Sequence, residues 1–248
     1  MTTNPPAPGP APASPAPLSP TARTTATRTR ERMATEREDL ERFLGAGLVA
    51  HLGISLDEHP VVLPVAYALD LDGPDEQGTL YLHGSVAAGW MGQVVGATVC
   101  VTVTELDGLV LARSGMHHSM NYRSAVVLGR ARLVEDEAER ARALDLVVDH
   151  VVPGRSATLR AATRKELSAT RLLAVPLAEA SLRARSGGPR DDADDLPGGR
   201  HPQDGVWSGV IELGRATGMV LDSPDALRAG LAQPAHVRAR AESLGCGA

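Results

Sequence analysis

The sequence predicts a mainly β protein, an antiparallel, Greek-key-like barrel with flanking helices. Several segments alternate apolar and polar residues with the period of a strand, most sharply Val99, Val101 and Val103 against the threonines and cysteine between them. The few helical segments do not alternate regularly with strands, which argues against a parallel sheet. Aromatic residues make up 2% of the chain, so its core must be built from Val, Leu and Ala, which suit strands and small barrels.

Composition and charge narrow the function classes. The net charge of −5 over 248 residues gives no indication of a nucleic-acid partner. No apolar run approaches the roughly 18 residues that a membrane span needs, and the first residues lack the apolar core of a signal peptide. We therefore expect a cytoplasmic protein without membrane contact. The two cysteines, Cys100 and Cys246, are not expected to form a disulfide.

Changes in composition divide the chain into three parts. Residues 1–30 are rich in Pro, Ala, Thr and Ser and are expected to form a disordered tail. Residues 31–214 contain the predicted strands and helices and form one domain. Residues 215–248 have a weak pattern and are expected to be loosely structured.

The elements follow in order from a predicted capping box at Thr35 and Glu38, which starts a short helix that ends at Gly45 and Gly47. Pro64 lies within a predicted strand, where it cannot donate to a ladder, so that strand is expected at an edge or a bulge. Asp107-Gly108 is a hairpin signal. The predicted strands are 48–54, 60–69, 79–83, 97–105, 109–112, 123–134, 171–177, 181–185 and 206–213.

Two further helices and one loop complete the prediction. Residues 135–151 carry an apolar stripe of helical spacing. Thr163 and Glu166 form a second possible capping box. The acidic segment 186–204, with its Gly and Pro, is expected to be an exposed loop.

Several strong signatures are absent from the sequence. It has no dinucleotide-binding glycine motif, no P-loop, no His-Glu-x-x-His and no cysteine pairs at zinc spacing. His117 and His118 are adjacent, so on a strand they would point to opposite faces and make a poor metal pair. No metal site is predicted.

The turn after His83 is a candidate phosphate site. Gly84, Ser85 and the glycines that follow precede a predicted short helix, and backbone N–H groups at a helix start favour a phosphate that glycines allow to approach. An ordinary strand-to-helix turn is the alternative reading of the same residues.

A polar cluster at Ser119 and Asn121–Ser124 is the second candidate site. Arg123, at the end of the small inward face of a strand, has the guanidinium geometry that clamps a phosphate or carboxylate. The alternative is that Arg123 satisfies nearby carbonyl groups or a carboxylate such as Glu105.

Five motifs, in this order, resemble the pyridoxamine 5′-phosphate oxidase-like flavin-binding family, in particular its nitroimidazole-resistance branch. The resemblance covers roughly residues 35 to 213. The motifs are Leu48-Val-Ala-His-Leu-Gly53, Val62-Leu-Pro-Val-Ala-Tyr67, Leu80-Tyr-Leu-His-Gly-Ser85, Val99-Cys-Val-Thr-Val-Thr104 and Asn121-Tyr-Arg-Ser124 with the strand that follows it.

This resemblance implies an FMN-binding split β-barrel that forms a homodimer and holds FMN between its subunits. Pro64, Val65, Ala66 and Tyr67 would then run beside the flavin ring. His83, Gly84 and Ser85 would lie near the phosphate end. Asn121, Tyr122, Arg123 and Ser124 would lie near the ring and the dimer seam.

The chain departs from the family where relatives carry an arginine or lysine a few residues past the Gly-Ser. Here those places are Ala88, Gly89 and Gly92. Losing a charge-assisted contact costs about 1.5–3 kcal/mol. Arg123, or an arginine of the partner subunit, then becomes the leading candidate for the phosphate charge.

The resemblance implies an FMN-dependent oxidoreductase acting on a small aromatic or nitrogen-containing, nitro-type substrate. No catalytic side chain is assigned, because the flavin itself carries the hydride or electron chemistry. The alternative is a non-catalytic flavin- or haem-binding split barrel, with His51, His83, His117 or His118 as the haem ligand. Some relatives use a deazaflavin, and a member that has lost its cofactor is a further alternative.

Overall fold

Two antiparallel sheets form the framework of the protein in the computed structural model, which describes residues 18–203 and 205–245. Their strands, in chain order, are β1 (Ala50–Leu56), β2 (His59–Val65), β3 (Tyr67–Asp70), β4 (Thr79–Ser85), β5 (Thr98–Leu111), β6 (Ser119–Arg130), β7 (Arg132–Leu133), β8 (Thr170–Pro176), β9 (Glu179–Arg185) and β10 (Gly209–Glu212). The helices are α1 (Arg37–Ala46), α2 (Trp90–Gln93), α3 (Glu137–Val151), α4 (Arg164–Ala169), α5 (Pro224–Arg228) and α6 (Ala235–Gly245).

The larger sheet has the order β2-β1-β5-β6-β9, with β10 paired to the far end of β5, and the smaller sheet has the order β3-β4-β8-β7. The main core lies between the two sheets and is closed by α1, whose Leu40, Phe43 and Leu44 are buried. A smaller cluster joins the second sheet to α3 through Tyr81 and Ala143. The predicted fold class, an antiparallel split barrel with flanking helices, is confirmed.

The apolar residues that alternate with polar ones in the sequence form the inward face of the larger sheet. Val99, Val101 and Val103 of β5 are buried, as are Ala125 and Val127 of β6. Strand β2 is an edge strand, as its proline requires, and Pro64 is exposed opposite His51 of β1. The predicted strand 60–69 is divided at Ala66, where the chain leaves the larger sheet for the smaller one.

The hairpin predicted at Asp107-Gly108 is wrong. Strand β5 runs unbroken through these residues, and the register against β6 passes from Leu106–Tyr122 to Gly108–Asn121, so Asp107 is the extra residue of a β-bulge. A bulge shares the sequence preferences of a tight turn at glycine. The chain reverses later, between Leu111 and Ser119.

The two predicted capping boxes have different outcomes. Thr163 and Glu166 form the complete reciprocal pair at the start of α4. The box at Thr35 is wrong, because α1 begins at Arg37 after Glu36, and the Thr35 hydroxyl donates to the Glu36 carboxylate instead. Helix α3 begins at Glu137, two residues later than predicted, with Asp136 accepting from the N–H of Glu139.

The structure changes the predicted boundary of the N-terminal tail. Residues 1–17 lie outside the described residues, whereas 18–30 lie along β9 with Leu18 buried. The N–H of Ser19 donates to the carbonyl of Ala180 at 2.8 Å, and Arg23 forms an ion pair with Glu179 at 2.5 Å. Composition predicts a tail here because the partner strand lies some 160 residues away and leaves no local signal.

The C-terminal segment is more structured than its sequence pattern indicates. Its two helices, α5 and α6, lie between residues 224 and 245, and the Arg240 guanidinium of α6 donates to the last carbonyls of α3, at His150 (3.2 Å) and Val151 (2.8 Å). The acidic loop 186–204 is anchored as well, because Asp191 accepts from both the backbone and the guanidinium of Arg113. Within the described residues, none of the helices has the length and apolar character needed to cross a bilayer.

Arg132 joins three elements in a half-buried polar network. Its guanidinium donates to Asp75, in the β3–β4 loop, at 2.7 and 2.8 Å, and to Glu139 of α3 at 2.5 and 3.1 Å. The Tyr81 hydroxyl also donates to Glu139. Burial alone would raise the pKa of Asp75, but the hydrogen bonds from Arg132 and Thr79 hold it below its ordinary value.

We predict that Arg132→Gln lowers the free energy of unfolding by about 2 kcal/mol, because two largely buried carboxylates lose their cation. Urea denaturation at neutral pH measures this change. The matched control is Arg130→Gln, two residues earlier at the end of β6: Arg130 is exposed and bonds to the Gly96 carbonyl, so its loss should cost less than about 1 kcal/mol. Equal effects of the two variants would contradict a stabilising role for the network.

Candidate functional site

The turn after β4 is shaped by a glycine that no other residue can replace without movement. A Cβ at Gly84 would lie 2.5 Å from the sulfur of Met91, which is fully buried beneath the turn. Ser85, next along the strand, is exposed, and its hydroxyl accepts from the N–H of Ala87 at 3.1 Å. The backbone at Gly84 is therefore packed directly against Met91, whereas Ser85 lies at the surface.

The helix predicted after this turn is a single turn, α2, over Trp90–Gln93. So short a helix has no useful macrodipole, and the N–H groups of Ala87, Ala88, Met91 and Gly92 already donate to acceptors within the turn. The sequence predicts that the start of this helix helps to bind a phosphate, but α2 is too short to do so. A phosphate at this turn therefore needs a cationic side chain.

Such a cation lies on β8. Arg171 pairs with Gly84 across the β4–β8 ladder, and its Nη1 lies where a side chain at Gly92 would point, 2.9 Å from an ideal Cβ there. The side chain of Arg171 is partly buried and makes no hydrogen bond or ion pair with the described residues. No local feature of the sequence marks Arg171 as a site residue, because only the strand register brings it to this turn.

A pocket of about 720 Å³ opens beside the same turn. Val86 and Thr170 border it, together with three arginines from three elements, Arg140 of α3, Arg164 of α4 and Arg171 of β8. Glu135 and Glu137 also line the pocket. The excess of positive charge and the open mouth suit a phosphorylated ligand.

His83 lies on β4 immediately before this turn. Its Nδ1 is buried and has no hydrogen-bond partner within residues 18–203 and 205–245. Burial lowers the pKa of this imidazole below its ordinary value, so it is held neutral at neutral pH. The imidazole therefore keeps one unused hydrogen-bonding nitrogen, which is buried and does not line the pocket.

The segment predicted to run beside a flavin ring, Pro64–Tyr67, lies where the chain passes between the sheets. Pro64 is exposed and Val65 and Ala66 are half-buried. The Tyr67 side chain belongs to the core: its hydroxyl donates to the carbonyl of Leu44 at 2.5 Å, and its ring packs 4.5 Å from that of His150. The side chain is fully buried, so this residue offers a ligand its backbone only, and the same burial raises the pKa of Tyr67 well above its ordinary value.

Arg123 already has a partner. Its guanidinium makes two hydrogen bonds to Asp107, at 2.7 and 3.0 Å, and lies 5.4 Å from the centre of the Phe43 ring. The bulge in β5 places the Asp107 carboxylate there. The alternative reading, in which Arg123 satisfies a local carboxylate, therefore describes the structure, with Asp107 in place of Glu105, which pairs with Arg215.

The neighbours of Arg123 are also engaged. Asn121 is buried and accepts from the guanidinium of Arg185, and the Ser124 hydroxyl lies 3.0 Å from that of Thr104. Tyr122 is half-buried. A pocket of about 400 Å³ opens beside Arg123 and extends under the C-terminal segment. Asn121–Ser124, predicted near the ring and the dimer seam, thus lie in the larger sheet, whereas His83, Gly84 and Ser85, predicted near the phosphate, lie in the smaller one.

The paired histidines lie in the turn between β5 and β6. The Nδ1 of His118 is 2.9 Å from the carbonyl of Ser114, and since a carbonyl only accepts, this nitrogen carries the proton. The Nε2 of His118 is then a free acceptor at the surface. His117 binds the Ser114 hydroxyl, and its ring and the carboxylates of Asp192 and Asp195 bring ligand atoms within 4.8 Å of one another.

The chain is similar to one known protein family and to several solved structures. The family model described as pyridoxamine 5′-phosphate oxidase matches residues 36–184. A search of curated proteins gives no match.

Two solved structures match nearly their whole length. The flavocytochrome Anf3 from Azotobacter vinelandii is 32% identical, with a TM-score of 0.79, over 90% of this chain and 98% of its own. An FAD and haem binding protein from Mycobacterium smegmatis is 36% identical, with a TM-score of 0.74, over 84% of this chain and 97% of its own. A 5-nitroimidazole antibiotic resistance protein from Bacteroides thetaiotaomicron, described as putative, is 22% identical over 60% of this chain and 84% of its own, with a TM-score of 0.49.

We predict that Gly84→Ala destabilises the protein by about 1–3 kcal/mol, because the added methyl group overpacks the buried Met91. Thermal and urea unfolding measure the loss. The double variant Gly84→Ala/Met91→Ala should lose less stability than the sum of the two single variants, since each change relieves the other. Additive losses would show that the two side chains do not compete for the same space.

Proposed function

Because the chain belongs to the pyridoxamine 5′-phosphate oxidase family, we propose that it is a redox protein that binds both a flavin nucleotide and a haem. The family predicted from the sequence motifs is thereby confirmed. A flavin exchanges two electrons with a donor or acceptor and a haem iron exchanges one, so the pair would connect hydride chemistry to single-electron transfer.

This proposal rests on how much of the chain is similar to two solved structures. The family segment is about three fifths of the chain, whereas the likenesses cover 90% and 84% of it. They therefore include parts of the chain outside residues 36–184. One of these proteins is described as a flavocytochrome and the other as binding FAD and haem, which favours a flavin-and-haem protein over one that binds flavin alone.

The flavin site of this proposal is the turn after β4. His83, Gly84 and Ser85, which the family resemblance places near the flavin phosphate, lie together there beside a pocket bordered by three arginines. The Ser85 hydroxyl is exposed and available to orient the ligand, whereas the Nδ1 of His83 is buried and would have to become accessible before it could bond to one.

Among the described histidines named as haem-ligand candidates, His118 fits the requirement best. A haem ligand needs an unprotonated ring nitrogen that is held in place by a hydrogen bond at the other nitrogen. The bond from His118 Nδ1 to the Ser114 carbonyl supplies this arrangement and leaves Nε2 exposed. His117 is engaged with Ser114 and Asp192, and His83 is only partly accessible.

The second candidate is a flavin-dependent oxidoreductase without haem, acting on a small aromatic or nitrogen-containing, nitro-type molecule with FMN. The family match itself favours it, because the model that spans the barrel carries the description of an oxidase. A flavin or haem carrier without turnover differs from both by showing bound cofactor but no substrate-dependent reduction.

A homodimer is part of the proposal. Leu109 pairs with Met120 on one side and Ile211 on the other, so three apolar side chains form a row across β10, β5 and β6. Their relative exposures are 38%, 51% and 48%. A row of this kind on a sheet is a liability in a monomer and suits burial against a second subunit.

The absorption spectrum of the purified protein tests the function. We predict a flavin band that dithionite bleaches together with a Soret band, and we predict that His118→Ala removes the Soret band while His117→Ala keeps it. A flavin band without a Soret band, including after reconstitution with haemin, would support the haem-free oxidoreductase. A protein that binds neither cofactor would contradict both functions.

Light scattering after size exclusion tests the dimer. We predict a dimeric mass for the wild type and a monomeric mass for Met120→Asp, since a carboxylate in the buried row would be left without a partner. Thr98→Asp, an exposed change at the far end of the same sheet, is the control. A monomeric wild type would contradict the dimer.

A further inference from the structure

The turn after β4 has no cation of its own. Residues 86–93 contain neither lysine nor arginine, and α2 is too short to supply a helix dipole. A phosphate held there by neutral groups alone would lack the charge-assisted bonds that make phosphate sites strong. The charge must therefore come from another element.

Among the arginines around this turn, Arg171 has the required position. The β4–β8 register puts it opposite Gly84, and its guanidinium extends past that glycine to the surface of Gly92. The glycine at position 92 leaves room for this arrangement, because a side chain there would meet Nη1 of Arg171 at 2.9 Å and displace the guanidinium. The guanidinium therefore occupies the space that a basic side chain on α2 would otherwise fill.

The other cations are committed elsewhere or lie farther out. Arg140 donates to the carbonyls of Leu167 and Thr170. Arg123, in the other sheet, is paired with Asp107. Arg164 and Arg171 are the pocket arginines whose side chains have neither a hydrogen-bond acceptor nor an ion-pair partner within the described residues.

We propose that Arg171 replaces the missing basic residue of α2 and binds the phosphate that FMN and FAD share, with Arg164 binding the second phosphate of FAD. This inference rests on the proposed flavin-binding function and assigns its anion site. Arg171 borders the turn itself, whereas Arg164 is exposed at the start of α4, on another wall of the same pocket. Two separate cations suit a diphosphate better than a single phosphate.

The two acidic residues of the pocket restrict where a phosphate can bind. Glu135 and Glu137, between β7 and the start of α3, line the same pocket as the arginines. Their charge repels a phosphate from that wall, so the ligand is confined to the side of Arg164 and Arg171. The pocket volume of about 720 Å³ also leaves room for more than one phosphate group.

Equilibrium titration of flavin-free protein with FMN and with FAD, followed by flavin fluorescence, tests this assignment. Arg171→Ala should weaken binding of both flavins by about ten- to a hundredfold, the loss of one charge-assisted contact. Arg164→Ala should weaken FAD and leave FMN unchanged. Lys165→Ala, which removes the same charge from the same helix but does not line the pocket, should leave both affinities unchanged.

A charge-relocation variant separates a phosphate contact from a merely structural role. Gly92→Arg combined with Arg171→Ala moves the cation from β8 to α2 and removes the clash at the same time, so it should restore the FMN affinity lost in Arg171→Ala. Circular dichroism and urea unfolding report whether each variant is folded.

The outcomes distinguish this inference from the function on which it rests. Wild-type protein that binds flavin, together with unchanged affinity in folded Arg171→Ala, would overturn the assignment and leave the proposed function standing. The assignment is also overturned if the relocated arginine fails to restore binding in a folded double variant. If the wild type binds neither FMN nor FAD, both fail. If Arg164→Ala binds FAD as tightly as the wild type, the assignment of the second phosphate is overturned.

Discussion

Strands β4 and β8 pair in a register that sets Gly84 opposite Arg171, and the candidate flavin site depends on that register. The missing side chain at Gly84 lets Met91 pack against the strand and fixes the turn. The missing side chain at Gly92 leaves space for the guanidinium. A shift of one residue in this ladder would turn Arg171 to the other face of the sheet, so the site and the core of the smaller sheet are specified together.

Ion pairs within the fold occupy two of the arginines that could otherwise bind an anion. Arg123 is neutralised by Asp107, and Arg132 is neutralised by two carboxylates. Each of these arginines serves to join elements of the fold. Burying part of an arginine side chain costs desolvation energy, which an ion pair normally offsets. In an arginine that faces a pocket and lacks an ion-pair partner, this cost is not offset. Arg171 is such a residue, and a bound anion would provide that interaction.

Local patterns in the sequence predict most of the strands, and the resemblance of five ordered motifs predicts the family. Alternation identifies the inward face of β5, and Pro64 identifies an edge, because both depend on the residue and its immediate neighbours. The bulge at Asp107 escaped prediction because a bulge and a hairpin turn use similar residues. The contacts of Leu18 with β9 and the position of Arg171 escaped it for another reason: each depends on a pairing between segments far apart in the chain.

The difference between local and long-range information also explains why the sequence allows two roles for Arg123, a phosphate ligand or the partner of a nearby carboxylate. The sequence predicts the position of Arg123 on its strand. Its partner, Asp107, lies at a bulge on the neighbouring strand, which the sequence does not predict. Without that partner, the guanidinium would be expected to bind a phosphate. The candidate site keeps the predicted His83, Gly84 and Ser85, and gains a cation from β8.

The most direct test of this account is a crystal structure of the flavin-loaded protein. The account predicts that phosphate oxygens lie within hydrogen-bond distance of the Arg171 guanidinium, beside the turn at Gly84, and that the ion pair between Arg123 and Asp107 remains intact. A phosphate bound to Arg123, with Asp107 displaced and Arg171 directed to solvent, would contradict it.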